Sequence, residues 1–146
     1  MAFRFKLDAV LRFRESVERT EEAVLHRIVR EIAEAQLELE RINLKQTHLR
    51  EQRERDLAQT LPAVHLLEIA EQEEQLNQIG DGIRTKLQQL DIQRVKQMAI
   101  YQSAHQDRQV LSELREQQQR SYGVEQRRQE QKMLDDMFLA RWKEAD

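Results

Sequence analysis

Apolar residues recur three and four apart along most of this chain. Counted from Leu7, one such stripe occupies Leu7, Leu11, Arg14, Glu18, Glu21, Leu25, Ile28, Ile32, Ala35, Leu39, Ile42, Gln46 and Leu49, and it is unbroken from Leu25 to Ile42. That spacing puts the stripe on one narrow helix face, suited to burial against a partner helix. Val10, Val17 and Val24 widen the face near the N-terminus, where a third surface can dock. A second stripe begins weakly and then runs Leu76, Ile79, Ile83, Leu87, Leu90. At Arg94 its spacing slips, to resume with Val95, Met98, Tyr101 and Ala104, followed by Leu111 and Leu114. A slip of this kind alters the supercoil locally without ending the helix.

Between the stripes lies Asp56 to Ala63, with Pro62, the only proline in 146 residues. Proline fixes φ and lacks an N–H, so it fits a first helical turn and disrupts an interior. It also pushes Leu61 out of the α region. The pattern predicts a first helix over about 4–58, a turn over about 59–61 and a second helix over about 62–142, with Thr60 or Leu61 at the cap. The predicted fold is all-α: one domain of two long antiparallel helices in a coiled-coil hairpin, the second longer and overhanging. Folding about Thr60 sets Ile42 against Ile79, Ala35 against Leu87 or its neighbour, Ile32 against Leu90, and Leu11 against Val110 or Leu111. The expected seam residues are Leu25, Ile28, Ile32, Ala35, Leu39, Ile42, Leu87 and Leu90. Gly80-Asp81-Gly82 interrupts the second helix. Ile79 and Ile83 keep the stripe in phase across it, which predicts a soft point within a continuous helix, each glycine costing about 1 kcal/mol relative to alanine.

Beyond roughly Leu114 the second helix outruns the first. This overhang is rich in Gln and Arg and finishes with Met133, Leu134, Met137, Phe138 and Trp142, spaced like one helix face that nothing in the chain covers. Such a face reads as a docking or self-association surface rather than a membrane anchor.

Composition supports a long-helix protein: 35% charged residues, 5% aromatic, three glycines and no cysteine. The absence of cysteine excludes disulfides and thiol chemistry and suits a reducing compartment. The start, Met-Ala-Phe-Arg-Phe-Lys, is interrupted by charge and does not read as a signal peptide. No apolar run is long enough to span a bilayer. A net charge of −3 argues against a general nucleic-acid binder. Its distribution is uneven: Asp56 to Ile83 hold six acidic residues and no Lys or Arg, whereas residues 1–14 hold Arg4, Lys6, Arg12 and Arg14 against Asp8 alone. In a hairpin the turn end would be acidic and the N-terminal end basic, an asymmetry that bears on partners.

Catalytic chemistry is not visible. His26, His48, His65 and His105 stand singly, without a second ligand at metal spacing. There is no glycine-rich phosphate loop. The many carboxylates lie on solvated helix faces, where no concave pocket shifts their pKa. The expectation is a non-enzyme with no metal and no cofactor.

Two end motifs carry a resemblance. Phe3-x-Phe5-x-Leu7…Val10-Leu11-x-Phe13-Arg14 at one end and Gln129-Glu130-Gln131-Lys132-Met133…Asp135-Asp136 at the other resemble the signatures of the FliJ family, coiled-coil components of the bacterial flagellar type III export apparatus. Length, the mid-chain turn and the longer second helix agree, so the resemblance covers the whole chain. It implies a hairpin similar in fold to the central stalk of rotary ATPases. It also implies a non-enzymatic role: promoting assembly and activity of the hexameric export ATPase FliI, alongside FliH, and linking the ring to the export gate FlhA, with export chaperones as further partners. The implied location is cytoplasmic, at the inner membrane through the apparatus and without insertion into it. Carried onto this sequence, the ATPase-facing residues would be Arg12, Arg14, Lys132, Asp135 and Asp136, and the gate-facing residues Leu76, Ile79 and Ile83. Ile69 and Gln72 stand where the family tends to have aromatics. Leu76, Ile79 and Ile83 are also stripe positions, which gives them a core role as an alternative. Three rivals stay open: the stalk protein of a virulence secretion system, a coiled-coil cargo chaperone or scaffold, and a nucleic-acid-binding hairpin using Arg120, Arg127 and Arg128.

Overall fold

In a computed structural model the protein is described over residues 2–59 and 62–145. Two helices, α1 (Asp8–Ala58) and α2 (Ala63–Ala145), account for nearly all of these residues, pack against each other and leave no strand among them. α1 has 51 residues and α2 has 83. Contacts divide the chain into two compact units: Glu21–Tyr101, and the residues up to Thr20 together with those from Gln102 onward.

Glu21–Tyr101 is a helical hairpin. Its core is Ala35, Ile42, Ile83 and Leu90, with Ile32, Leu39, Leu76 and Leu87 packed against it. Leu25, Ile28, Leu49 and Ile69 are buried on the same stripe. Burial of each such side chain stabilises by about 1.5–3 kcal/mol. Where apolar residues run out, polar pairs bridge the helices: the Gln46 amide donates to Asn77 Oδ1 at 2.9 Å and the Arg53 guanidinium to Glu73 at 3.0 Å. Nearer the turn, His65 Nε2 stands 3.2 Å from Asp56 Oδ2. α1 ends with Gln59 N–H donating to the Asp56 carbonyl, and the Pro62 carbonyl accepts from His65 N–H at 3.0 Å. Pro62 therefore precedes α2 rather than starting it. Thr60 and Leu61, the two expected cap residues, lie outside the described residues.

Two expectations about α2 are corrected. The stripe does not slip at Arg94. Its inward positions alternate four and three apart through Ile69, Glu73, Leu76, Gly80, Ile83, Leu87, Leu90, Arg94 and Gln97, every one buried or half-buried, while Val95 is 56% exposed. Gln97 keeps the register because its amide can donate to both the main-chain carbonyl and the carboxylate of Glu21, satisfying a polar group that would otherwise be costly to bury. Nor does Ile79 face Ile42. Gly80 does, and a Cβ added there would meet Ile42 Cγ2 at 3.7 Å. Ile79 is turned aside and 48% exposed. The helix runs through both glycines without a positive φ, so no break occurs there.

In the other unit α1 starts at Asp8 rather than near residue 4. The Asp8 N–H donates to the Phe5 carbonyl at 3.2 Å, and a carboxylate in the first turn favours the start electrostatically. The preceding residues serve another purpose. Phe5 is buried and the Phe3 ring lies 5.7 Å from that of Tyr122 on α2. Leu11 and Ala104 are buried; Leu111 is half-buried, whereas Val110 is 64% exposed and so leaves Leu111 as the inward member of that pair. Leu7, first in the predicted stripe, is 40% exposed. The seam again becomes polar at Glu18, whose carboxylate accepts from Arg108 Nε at 2.6 Å and stands 2.9 Å from His105 Nδ1. Arg14 reaches Asp107 at 3.3 Å. Past Tyr122, α2 runs on for roughly 35 Å, and every residue from Arg127 to Ala145 is exposed.

Candidate functional site

Among the described residues no group of His, Cys, Asp and Glu is placed to hold a metal ion, and no helix is long and apolar enough to cross a membrane. What the helices offer is surface, in two separate places.

The first belongs to the termini. Arg12 projects to solvent and pairs with Asp8 at 2.9 Å, one turn earlier on the same helix. Arg14 is committed to Asp107, with its guanidinium 6.0 Å from the exposed Phe13 ring. Lys132, Asp135 and Asp136 are exposed, and Asp135 accepts from the Gln131 amide at 3.1 Å. The structure does not gather these five into one cluster: along α2, Lys132 lies about 37 Å from the level of Arg14 and its partner Asp107. Met133, Leu134, Met137, Phe138, Leu139 and Trp142 are each more than half exposed. They spread over a wide arc of the uncovered helix. Leu139 is the addition to the sequence reading, set on the far side of the arc and so outside the stripe spacing.

Electrostatics in this unit centre on Glu18. The hydrogen bond from Arg108 holds its carboxyl below the usual carboxylate range; burial opposes this, and His105 adds to the lowering. An ionised Glu18 thus belongs to the folded state. Periodicity marked Glu18 as an inward position, but nothing in the spacing announced that His105 and Arg108 would meet it there.

The second surface is in Glu21–Tyr101. Leu76 is half-buried, Ile79 half-exposed and Ile83 buried at 7% exposure, so only the first two can be touched from outside. They form one wall of a groove of about 600 Å³ whose other wall is α1, through Leu44, Lys45, His48 and Leu49; Gln52, Gln72 and Gln75 complete the lining. The α1 side was missed by sequence reasoning because Leu44 and His48 fall off the stripe. An exposed leucine beside the seam (Leu44 is 65% exposed) was the available signal.

The fold is an antiparallel helical hairpin with exposed side chains along both helices and over the last turns of α2. The model of the family described as "Flagellar FliJ protein" matches residues 3–145. The chain belongs to the FliJ family, and thus to the flagellar protein export apparatus. No curated protein and no solved structure matches it.

Proposed function

We propose that this protein promotes assembly and turnover of the export ATPase ring and links that ring to the export gate. Family membership over nearly the whole chain is the observation that carries the reading. The two surfaces suit it. The terminal unit offers exposed Arg12, Lys132, Asp135 and Asp136 with the apolar arc from Met133 to Trp142, a combination of anchors and charged rim typical of protein interfaces. These residues, with Arg14 bracing the end through Asp107, are proposed to engage FliI and FliH. They act as two patches, one at the N-terminal arm and one on the overhang. Leu76 and Ile79 are proposed to face the gate FlhA, with Ile83 supporting them from the core. The protein would then stand at the cytoplasmic face of the inner membrane, held by its partners.

ATP turnover of the cognate ATPase, measured while the protein is titrated in, tests this. A saturable rise is expected, lost when Arg12 and Phe138 are both replaced by Asp. A flat response with gate or export-chaperone binding intact would overturn the coupling role in favour of a scaffold.

A further inference from the structure

The end of α2 carries a pattern that contact with an ATPase does not require. From Arg127 onward every described residue is exposed. From the same point a stripe alternates three and four apart: Arg127, Glu130, Leu134, Met137, Arg141, Glu144. Met133 and Phe138 flank its middle, so an exposed apolar block of four lies between two charged ends. Residues at these spacings share one helix face, and the helical repeat places Lys132, Asp135, Asp136 and Leu139 on the other side. Read backwards, the stripe keeps its spacing and its apolar positions, but each charge becomes its opposite. Arg127 corresponds to Glu144, Glu130 to Arg141, Met133 to Phe138 and Leu134 to Met137. None of the four charged side chains has an ion pair or hydrogen bond among the described residues.

We propose that this end of α2 pairs with the same end of a second copy of the chain, antiparallel about a two-fold axis level with Asp135 and Asp136. A two-fold interface uses one patch twice, so the patch must complement itself. This one does. Leu134 of each copy meets Met137 of the other, with Met133 and Phe138 closing over the sides. Glu130 meets Arg141 and Arg127 meets Glu144, each contact being made twice. A parallel pair would instead set every charge against its like, Arg141 on Arg141 and Glu130 on Glu130, so charge selects the antiparallel arrangement. The arginine stems lie along the apolar block with their guanidinium groups in water. Such exposed pairs add little affinity, and their effect is to fix the register. The seam is about 27 Å long, short for a permanent dimer, so monomer and dimer exchange with concentration. The proposal goes beyond the ATPase reading and does not rest on it. It adds a form of the free protein in which the apolar arc is covered by a second copy.

Sedimentation velocity of the full-length protein over a range of concentrations tests this with Leu134→Asp, Glu130→Arg, Arg141→Glu and the double variant Glu130→Arg/Arg141→Glu. Leu139→Asp, on the far side of the helix and at a residue 54% exposed, is the control. All of these positions are exposed, so thermal melting of the variants stays near that of the parent. The parent is expected to form a reversible dimer. Leu134→Asp puts two carboxylates into the apolar block of that dimer and is expected to raise its dissociation constant about tenfold or more. Either single charge reversal makes two like-charged contacts and is expected to raise it several-fold. The double variant exchanges the charges, restores the contacts and is expected to return the constant to near the parental value, while Leu139→Asp retains it. A parent that is monomeric at every concentration would overturn the proposal, as would a dimer indifferent to Leu134→Asp. No recovery in the double variant would overturn the antiparallel pairing, and equal loss with Leu139→Asp the choice of face. ATP turnover plays no part in these readouts, so the ATPase reading stands or falls separately.

Discussion

Glu18 shows how a single charged residue can occupy a seam and hold it. Its carboxyl, lowered chiefly by the Arg108 hydrogen bond, contributes stability that is fully present above the normal carboxylate range. That contribution is lost as pH falls through the lower folded value. Glu18→Gln should cost about 1.5–3 kcal/mol at neutral pH, the scale of a hydrogen bond to a charged group. It should also flatten the acid side of the melting-temperature profile, where the parent falls more steeply below about pH 4; parallel profiles would deny Glu18 this role. The glycines give a second test. A Cβ at Gly82 meets nothing within 4 Å, whereas one at Gly80 already touches Ile42 and Arg84. Gly82→Ala should therefore stabilise by up to about 1 kcal/mol, while Gly80→Leu, which adds three carbons beyond a Cβ already in contact with Ile42, should destabilise by overpacking; calorimetric melting of both checks the pair.

The seam is the character of the elements that was most legible in the chain. A stripe three and four apart from Leu11 to Leu49 is buried or half-buried at every position, because a helix face repeats whatever its neighbours do. The second element was harder. Gly80, Arg94 and Gln97 are inward residues with little or no apolar surface, so the eye passes from them to Ile79 and Val95, one position away and outside the seam. Leu90→Ala should cost about 2–3 kcal/mol and Val95→Ala less than about 0.5 kcal/mol, measured by denaturant unfolding. Equal costs would restore the slipped register. The candidate surfaces were legible only in part: the apolar arc of the overhang was readable because it lacks an internal partner. The α1 wall of the groove and the aromatic clasp of Phe3 on Tyr122 depend on which residues meet across helices, and that is not written in either helix alone.

At the scale of the molecule, two helices make up nearly all of the described residues, and few of those residues are buried. Function then depends on what is laid against it. Trp142 is the only tryptophan and is 65% exposed, so its emission should be that of a solvated indole. If the ATPase contacts the overhang as proposed, quenching by acrylamide should fall when the ATPase is added; undiminished quenching at saturation would exclude Trp142 from that contact.

The solitary length of α2 past Tyr122 has one further consequence. A helix exposed at every residue from Arg127 to Ala145 depends on its own propensity, and isolated helices are marginal in water. Its amides should therefore exchange with deuterium far sooner than those around Ala35 and Leu90, whose opening requires the core to part. A partner that grips this end would slow exchange there by orders of magnitude while leaving the core untouched. Recognition would then be recorded as time, in the protection of main-chain hydrogens along one bare helix.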